Sequence, residues 1–149
     1  MTPKLTLRIA SGLMIFHTIG HTIGLGGWKK TADPVQHDII GQMIGHKFPF
    51  MGATRSLAEF YEGFGYAATT AMLLMAVLLW ILSGEVKSQP VLAKKLIIAL
   101  AAGLLIWAAD ELIFFFPFAA GNTLLAAGFS LFSLYLLTGQ TPSESADKK

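Results

Sequence analysis

The sequence predicts an all-α integral membrane protein, built as a bundle of four transmembrane helices. Of its 149 residues, 54% are hydrophobic and only 13% are charged, whereas soluble domains carry about 25% charged residues. The apolar residues form four long, nearly continuous stretches, which is typical of segments that cross a bilayer. The chain contains no cysteine, so disulfides, thiolate metal sites and thiol redox chemistry are excluded.

Each predicted helix approaches or exceeds the roughly 20 residues needed to cross a hydrocarbon core about 30 Å thick. The helices cover about residues 5–25, 57–82, 91–116 and 119–137 of a single domain, residues 1–138, which is followed by a polar cytoplasmic tail, residues 139–149. A signal peptide is the rival interpretation of the first helix, because Lys4 and Arg8 precede an apolar stretch. That stretch carries two histidines and no small-x-small cleavage site follows it, so we expect a membrane-spanning helix instead.

Lysine and arginine residues predict the orientation of the bundle. With four crossings, seven of them lie on the side of the two termini and four lie on the side of the long loop between helices one and two. Positive residues accumulate on the cytoplasmic side, so both termini of a multi-pass inner (plasma) membrane protein are predicted in the cytoplasm. The net charge is only +2, and the basic residues lie beside the apolar segments. The charge therefore does not indicate a nucleic-acid partner.

The long outer loop, residues 28–56, contains a short predicted amphipathic helix. Asp33-Pro34 is a typical helix start, because an N-cap side chain is followed by proline at the first helical position. Apolar residues then recur at helical spacing between Val35 and Ile44. We expect this helix to lie on the outer membrane face or over the mouth of the bundle, as an interfacial connector.

Polar and ionisable residues inside the predicted helices define the candidate site. The i, i+4 spacing of His17 and His21 puts both imidazoles on one face of helix one. A polar stripe opens helix two, an acidic pair lies near the end of helix three, and an amide lies near the start of helix four. The residues predicted to line a common pocket are His17, His21, Arg55, Glu59, Glu62, Tyr66, Trp107, Asp110, Glu111 and Asn122.

The helical rise places these groups at a similar depth. Measured from the predicted helix ends, His17 and His21 lie about 13 and 7 Å below the outer boundary, and the acids lie about 4 to 10 Å below it. A charge in hydrocarbon costs about 2.5 to 3.5 kcal/mol, so such groups usually face the bundle interior and pair. We therefore expect one outward-facing polar pocket with an aromatic rim that includes Tyr61.

Two classes of function fit such a pocket. In the first, the polar residues hold the bundle together, and the pocket binds a small lipophilic ligand or docks a partner membrane subunit or a second copy of the chain, with membrane lipid around it. In the second, the protein is a membrane-embedded isomerase or oxidoreductase that acts on a lipid-like substrate. A histidine beside carboxylates can then remove a proton next to a double bond or carbonyl, with His17 or His21 as the base. The sequence leaves enzyme activity open.

A metal- or haem-binding protein is the third alternative. Imidazole and carboxylate groups suit zinc, iron or manganese, although the Glu-x-x-His motif of di-iron bundles is absent. The possible metal ligands are His17, His21, Glu62 and Glu111. Haem needs axial ligands on opposite sides of its ring, so His37 or His46 would have to supply the second one. The sequence therefore assigns no cofactor.

Three segments carry a resemblance to known proteins. They are the run from Arg8 to Gly24, the segment Gly52-Ala-Thr-Arg55-Ser, and the segment Tyr61-Glu-Gly-Phe-Gly65. Together they resemble small bacterial four-helix integral membrane proteins whose activity is uncharacterised. Size and helix count give a looser similarity to DoxX-like four-helix membrane proteins. The resemblance implies the four-helix fold and the bacterial inner membrane, and it implies no activity.

Overall fold

The computed structural model describes residues 1–139, and this part of the chain contains five α-helices and one two-stranded antiparallel sheet. In chain order the elements are α1 (Pro3–Gly27), α2 (Pro34–Gly45), β1 (Lys47–Phe50), β2 (Ala53–Ser56), α3 (Leu57–Glu85), α4 (Pro90–Phe114) and α5 (Pro117–Thr138). By length and composition, α1, α3, α4 and α5 are apolar and long enough to cross a membrane. The predicted all-α class with four such helices is confirmed. Of the predicted polar tail, residues 140–149 lie outside the described residues.

Local chemistry at the helix starts explains where the helices begin. Proline opens α2, α4 and α5, because its fixed φ suits a helix and its missing N–H is not needed in the first turn. At α2, the carboxylate of Asp33 also accepts a hydrogen bond from Val35 N at 2.9 Å, as expected of an N-cap. α3 begins without proline and uses a capping box of Ser56 and Glu59 instead.

The link between α4 and α5 differs from the prediction by two residues on each side. Helices were predicted over 91–116 and 119–137, whereas α4 ends at Phe114 and α5 begins at Pro117. A residue before proline is kept out of the helical region by a clash with the proline ring, and Phe116 is accordingly extended, with φ −142° and ψ 151°. Because the residues on both sides of this link are apolar, composition alone does not show where the helix ends before Pro117.

The β-hairpin between α2 and α3 is a feature that the sequence pattern does not predict. Its strands pair with Phe50 opposite Ala53, so Met51 and Gly52 form the turn. Both residues have positive φ, 46° and 86°, as a two-residue hairpin turn of type I′ requires. Methionine disfavours this conformation, whereas Asn-Gly would have been the recognisable hairpin signal.

The described residues form two compact units, and the first comprises residues 1–17 and 73–139. Its core consists of buried apolar and small side chains on α1, α4, α5 and the part of α3 from residue 73 onward, where Ala76 and Leu79 are buried. They include Leu7, Ala10 and Met14 on α1, Ala93, Ile97, Ala101, Leu104 and Ala108 on α4, and Ala119, Ala120, Ala126 and Ala127 on α5. Small residues let helices approach closely within a membrane. Interhelical hydrogen bonds add to this packing, since Ser133 Oγ donates to Pro3 O at 3.1 Å.

The second unit comprises residues 18–72, and aromatic contacts hold it together. The ring of Phe60 on α3 lies 6.0 Å from that of Phe48 and 5.3 Å from that of Phe50. These contacts fix the hairpin against the start of α3. Helix α2 has no buried residue, so it lies at the surface of this unit.

Candidate functional site

The first unit contains a buried trio of polar side chains, His17, Glu111 and Thr123, which we call the His17 cluster. His17 Nε2 lies 3.2 Å from Glu111 Oε1, and His17 Nδ1 lies 3.0 Å from Thr123 Oγ1. The Thr123 hydroxyl also lies 3.3 Å from Ala119 O, one turn earlier on α5. From its position on α1, the imidazole therefore connects α4 to α5.

Protein covers the His17 cluster almost completely. The side chain of Glu111 is 4% exposed and that of His17 is 10% exposed, and Thr123 is fully buried. Within residues 1–139, Glu111 Oε2 is the buried side-chain polar atom that has no hydrogen-bond partner. Leaving a buried polar atom unpaired costs about 1 to 3 kcal/mol. This cost makes the cluster a candidate for a functional role and not for stability alone.

The spacing of buried residues explains why His17 meets Glu111. The buried positions between residues 7 and 14 of α1 lie on the same helix face as His17. Those between residues 97 and 108 of α4 lie on the same helix face as Glu111. The buried positions are 7, 10, 11 and 14 on α1 and 97, 101, 104 and 108 on α4, and they recur at spacings of three and four residues, which keeps the side chains on one face. Asp110 directly precedes Glu111 but lies on another face of α4 and is exposed.

Asn122, another predicted site residue, joins α5 to α1 next to the His17 cluster. Its side-chain Nδ2 donates a hydrogen bond to Leu13 O at 3.0 Å. Leu13 lies one turn before His17 on α1, so this bond holds the two helices together close to the imidazole. Asn122 therefore helps to position α1 and α5 beside the His17 cluster, and it is not itself a member of the cluster.

The second unit contains its own group of polar and aromatic side chains, Trp28, Lys29, Tyr61 and Glu62, which we call the Trp28 cluster. Glu62 Oε1 accepts hydrogen bonds from Lys29 Nζ at 2.7 Å and from Trp28 Nε1 at 3.3 Å. The ring of Trp28 lies 4.7 Å from that of Tyr61, at an angle of 50°. Lys29 Nζ lies 5.5 Å from the Trp28 ring centroid. The predicted site residue Glu62 thus fixes both the indole and the cation beside it.

The Trp28 cluster contributes to the wall of an open pocket of about 270 Å³. The lining side chains are Trp28, Gln36, Ile39, Ile40, Met43 and Tyr61. None of the ten predicted site residues lines this pocket, whereas Tyr61, which was predicted at the aromatic rim, does. Small-molecule sites are mostly apolar, have a few polar groups and start at roughly 300 Å³. The pocket therefore has the composition, and nearly the volume, of a site for a small ligand.

Glu59 and Arg55, both predicted in the polar pocket, lie at the start of α3. Ser56 N donates to Glu59 Oε2 at 2.7 Å, and Glu59 N donates to Ser56 Oγ at 3.2 Å, which forms a capping box. Arg55 is exposed, and its Nη1 lies 3.6 Å from Glu59 Oε1, a pair of the kind that contributes little to stability. The sequence Ser-x-x-Glu is the recognisable signal for this role of Glu59.

Replacing Glu59 by alanine is expected to destabilise the first turn of α3, because Ser56 N loses its acceptor. Glu59→Gln is the matched control, since glutamine also completes a capping box. Amide hydrogen exchange of residues 56–60 measures the effect in detergent-purified protein. We expect faster exchange in Glu59→Ala and exchange close to wild type in Glu59→Gln. Equal protection in both variants would show that the capping box does not stabilise this turn.

The remaining predicted residues have different surroundings. His21 Nδ1 lies 3.0 Å from Thr69 Oγ1 on α3. Tyr66 and Asp110 are exposed, and Trp107 is half-buried. No group of three or more His, Asp or Glu side chains arranged to hold a metal ion occurs in residues 1–139. The single pocket that combines all ten residues stays a prediction.

Comparison with known proteins does not assign the chain to a family. The chain matches no protein-family model, no curated protein and no solved structure. Its four membrane-length helices agree with the resemblance to small four-helix membrane proteins at the level of the fold. A candidate function therefore has to rest on the geometry of the two clusters.

Sequence patterns do not single out Thr123, Trp28 or Lys29, which complete the two clusters. Thr123 belongs to the buried face of α5, and the helical spacing of small residues along that face is the signal that could have found it. Trp28 and Lys29 follow the glycine that ends α1. Beyond a helix end there is no periodicity, so the sequence does not indicate which side chain such residues will contact.

Proposed function

We propose that this protein is an integral protein of the bacterial plasma membrane that binds a small lipophilic ligand in the pocket beside the Trp28 cluster. The pocket carries the proposal, because it is an open cavity of about 270 Å³ with mainly apolar and aromatic walls. Ligand sites usually have this form, with few polar groups that fix the orientation of the ligand. The four helices of membrane-spanning length make a lipophilic ligand the natural class.

Helix α2 gives the pocket access to a membrane surface. Val35 is 67% exposed, Ile39 51% and Ile44 43%, and exposed apolar side chains on a short helix are typical of one that lies in the membrane interface. Trp28 and Tyr61 are of the residue types enriched at that level. A lipophilic molecule in the interface would reach the pocket without crossing water.

The Lys29–Glu62 pair and Gln36 limit the chemistry of the ligand. Lys29 and Glu62 lie beside the pocket and not in its lining, and because their charges are 2.7 Å apart they neutralise each other and offer no unpaired charge to a ligand. Gln36 is the amide side chain of the lining; its Oε1 accepts a hydrogen bond from Thr31 Oγ1 at 2.7 Å, and its NH₂ group can donate. We therefore expect a small neutral molecule with one hydroxyl or carbonyl group.

The distribution of basic residues supports an outward-facing pocket. On the side of the termini lie Lys4, Arg8, Lys87, Lys94, Lys95, Lys148 and Lys149, and on the side of the pocket lie Lys29, Lys30, Lys47 and Arg55. Since the side richer in lysine and arginine faces the cytoplasm, both termini are cytoplasmic in the proposed topology. The pocket then opens on the outer face of the membrane.

Two neighbouring residues of α2 provide the test. Met43 lines the pocket, whereas Ile44 is exposed and does not line it. Tryptophan at position 43 is expected to fill the cavity, and Ile44→Trp adds the same side chain outside it. Each protein is purified in detergent, and co-purified small molecules are compared by mass spectrometry. We expect a neutral lipophilic species enriched in wild type and Ile44→Trp and reduced about tenfold or more in Met43→Trp.

The same measurement contradicts the proposal in three cases. Bulk phospholipid in equal amounts from all three proteins would show that the pocket has no ligand of its own. Loss of the enriched species from both variants would place its binding outside the pocket. A protein subunit lost from Met43→Trp, with no change in small molecules, would identify the surface as a docking site for a membrane partner. Unchanged helical circular dichroism establishes that the variants are folded.

A further inference from the structure

We propose that the tip of the β-hairpin inserts into the interfacial layer of a phospholipid bilayer and anchors the second unit there. The hairpin tip consists of the four residues Phe50-Met51-Gly52-Ala53. The proposal rests on the membrane-spanning role of α3 proposed above. It does not depend on the ligand pocket, because the tip residues do not line that pocket. The partner of the hairpin tip is therefore the lipid that surrounds the protein.

The backbone of Met51 adopts an unfavourable conformation that no contact within the protein explains. Met51 has φ 46°, in the left-handed region that disfavours a residue with a side chain. Its side chain is 92% exposed, so packing against the described residues does not offset this cost. Asparagine would adopt the same type I′ turn more readily. Lipid that removed the methionine side chain from water would supply the missing stabilisation.

Aromatic contacts hold the hairpin tip beside the first two turns of α3. Phe50 directly precedes the turn, and its ring lies 5.3 Å from that of Phe60. The ring of Phe60 in turn stacks on that of Phe64 at 6.4 Å. Phe60 and Phe64 are the fourth and eighth residues of α3, a helix long and apolar enough to cross a membrane. The hairpin tip therefore lies at the level where α3 would enter a bilayer.

The exposed apolar surface of the hairpin tip continues onto α3. Phe64 is 73% exposed and Phe50 is 49% exposed, and the ring of Phe60 connects them. A bilayer that surrounds α3 covers Phe64, and at the same level it reaches Phe50 and Met51. Aromatic side chains are enriched at this level of membrane proteins. This continuity favours lipid over a protein partner as the molecule that covers the tip.

The charged side chains of the hairpin lie away from its tip. They are Lys47 and Arg55, both exposed, and they belong to the two residue pairs farthest from the turn. The strand rise puts these pairs roughly 7 to 10 Å from the turn, which is close to the depth of about 5 to 10 Å that apolar faces reach in the membrane interface. The tip can therefore enter the acyl boundary while both cationic groups stay at the level of the lipid phosphates.

Site-directed spin labelling tests the proposal, because the chain contains no cysteine and each introduced cysteine is then the only labelling site. The label is placed at Met51→Cys, with Ala102→Cys midway along α4 as the hydrocarbon reference and Gln89→Cys in the link between α3 and α4 as the water reference. The full chain is reconstituted into vesicles of phosphatidylethanolamine and phosphatidylglycerol. Collision rates of each label with oxygen and with a water-soluble nickel chelate are then measured. We expect the label at 51 to collide with nickel about tenfold less often than that at 89, and more often with oxygen.

Three other results contradict the proposal. Nickel collisions as frequent at 51 as at 89, with the label at 102 protected, would place the hairpin tip in water beside helices that do span the membrane. Few collisions with either reagent at 51 would show that protein covers the tip, as in a contact with a second copy of the chain. Nickel collisions as frequent at 102 as at 89 would instead contradict the membrane-spanning helices on which the proposal rests.

Two substitutions of Met51 separate the role of its side chain from that of the turn. Met51→Asn favours the positive φ of the turn but adds a polar group, whereas Met51→Leu keeps the side chain apolar. Each is combined with a label at Thr54→Cys, an exposed position on β2. We expect nickel collisions at 54 to stay low with methionine or leucine and to rise about tenfold with asparagine. Equal collision rates in the asparagine and leucine variants would overturn the assignment of Met51 as the anchor. Because asparagine suits the turn, a rise in that variant does not reflect loss of the hairpin.

Discussion

The coupling free energy between His17 and Glu111 is expected to exceed that of an ordinary hydrogen bond between membrane helices. Double-mutant cycles of such neutral bonds average about 0.6 kcal/mol and reach about 1.7 kcal/mol. Breaking a buried charge pair by removing one partner costs about 3 to 5 kcal/mol. Both side chains are buried and lie 3.2 Å apart, so removal of either one leaves an ionisable partner buried and unpaired, as in the second class. We therefore expect a coupling above about 1.7 kcal/mol.

The cycle uses leucine at both positions. His17→Leu removes the partner of Glu111 Oε1 and leaves both carboxylate oxygens unpaired, and Glu111→Leu leaves His17 Nε2 unpaired. The double variant removes all of these groups and is expected to recover most of the lost stability, as apolar replacements of buried pairs do. Reversible unfolding of the four proteins in mixed micelles gives the coupling. A value below about 0.6 kcal/mol would class the contact with the average neutral bond and would contradict this expectation.

Replacing Ala102 by lysine is expected to reduce membrane insertion of α4 by about 2.5 to 3.5 kcal/mol, because an ammonium group at the centre of a spanning helix has this cost. Ala102 is exposed and lies midway along Pro90–Phe114, about 18 Å from either end of the helix. On a surface that faces water, the same substitution changes stability by only about 0.5 kcal/mol. The expected cost of Ala102→Lys is therefore several times larger if α4 crosses a membrane than if this face of α4 is in water.

The matched control for this substitution is Val91→Lys. Val91 is 70% exposed and lies next to the first residue of α4, so a lysine side chain there can extend to the membrane surface. A glycosylation-based insertion assay gives the apparent insertion free energy of each variant. We expect Ala102→Lys to lower the insertion equilibrium constant roughly a hundredfold relative to Val91→Lys. Equal insertion of both would contradict the assignment of α4 as a spanning helix.

The four long helices could be predicted because their signal is local. An apolar stretch of membrane length specifies a helix whatever its neighbours are, and the Asp33-Pro34 pair marks the start of α2 through contacts within one turn. The hairpin could not be predicted, because it has no local sequence signal. Its turn holds Met51 at a positive φ, against the preference of that residue, so tertiary contacts of the strands rather than local preference determine the conformation.

Within the candidate site, the sequence indicates which types of side chain will be paired, but not which residues pair with each other. Histidine and acid in apolar helices indicate a paired polar group, and His17 does pair with an acid. The choice of Glu111 over Asp110 depends on about 100° of rotation around α4, which follows from the helical repeat only when the buried face is known. The approach of α2 to Trp28, which creates the pocket, depends on tertiary structure for which the sequence has no periodic signal.

The two-residue link between α4 and α5 has a consequence for biosynthesis. Only Phe115 and Phe116 separate the two helices, and closing so short a loop costs little chain entropy, so these helices can pair as soon as both have left the ribosome. His17 and Thr123, in contrast, are 106 residues apart. Because chains emerge from the N-terminus, α1 is synthesised long before the helix that carries Thr123. The imidazole therefore acquires its hydroxyl partner only when the last helix has been made, and a chain that ends before residue 117 would lack this contact.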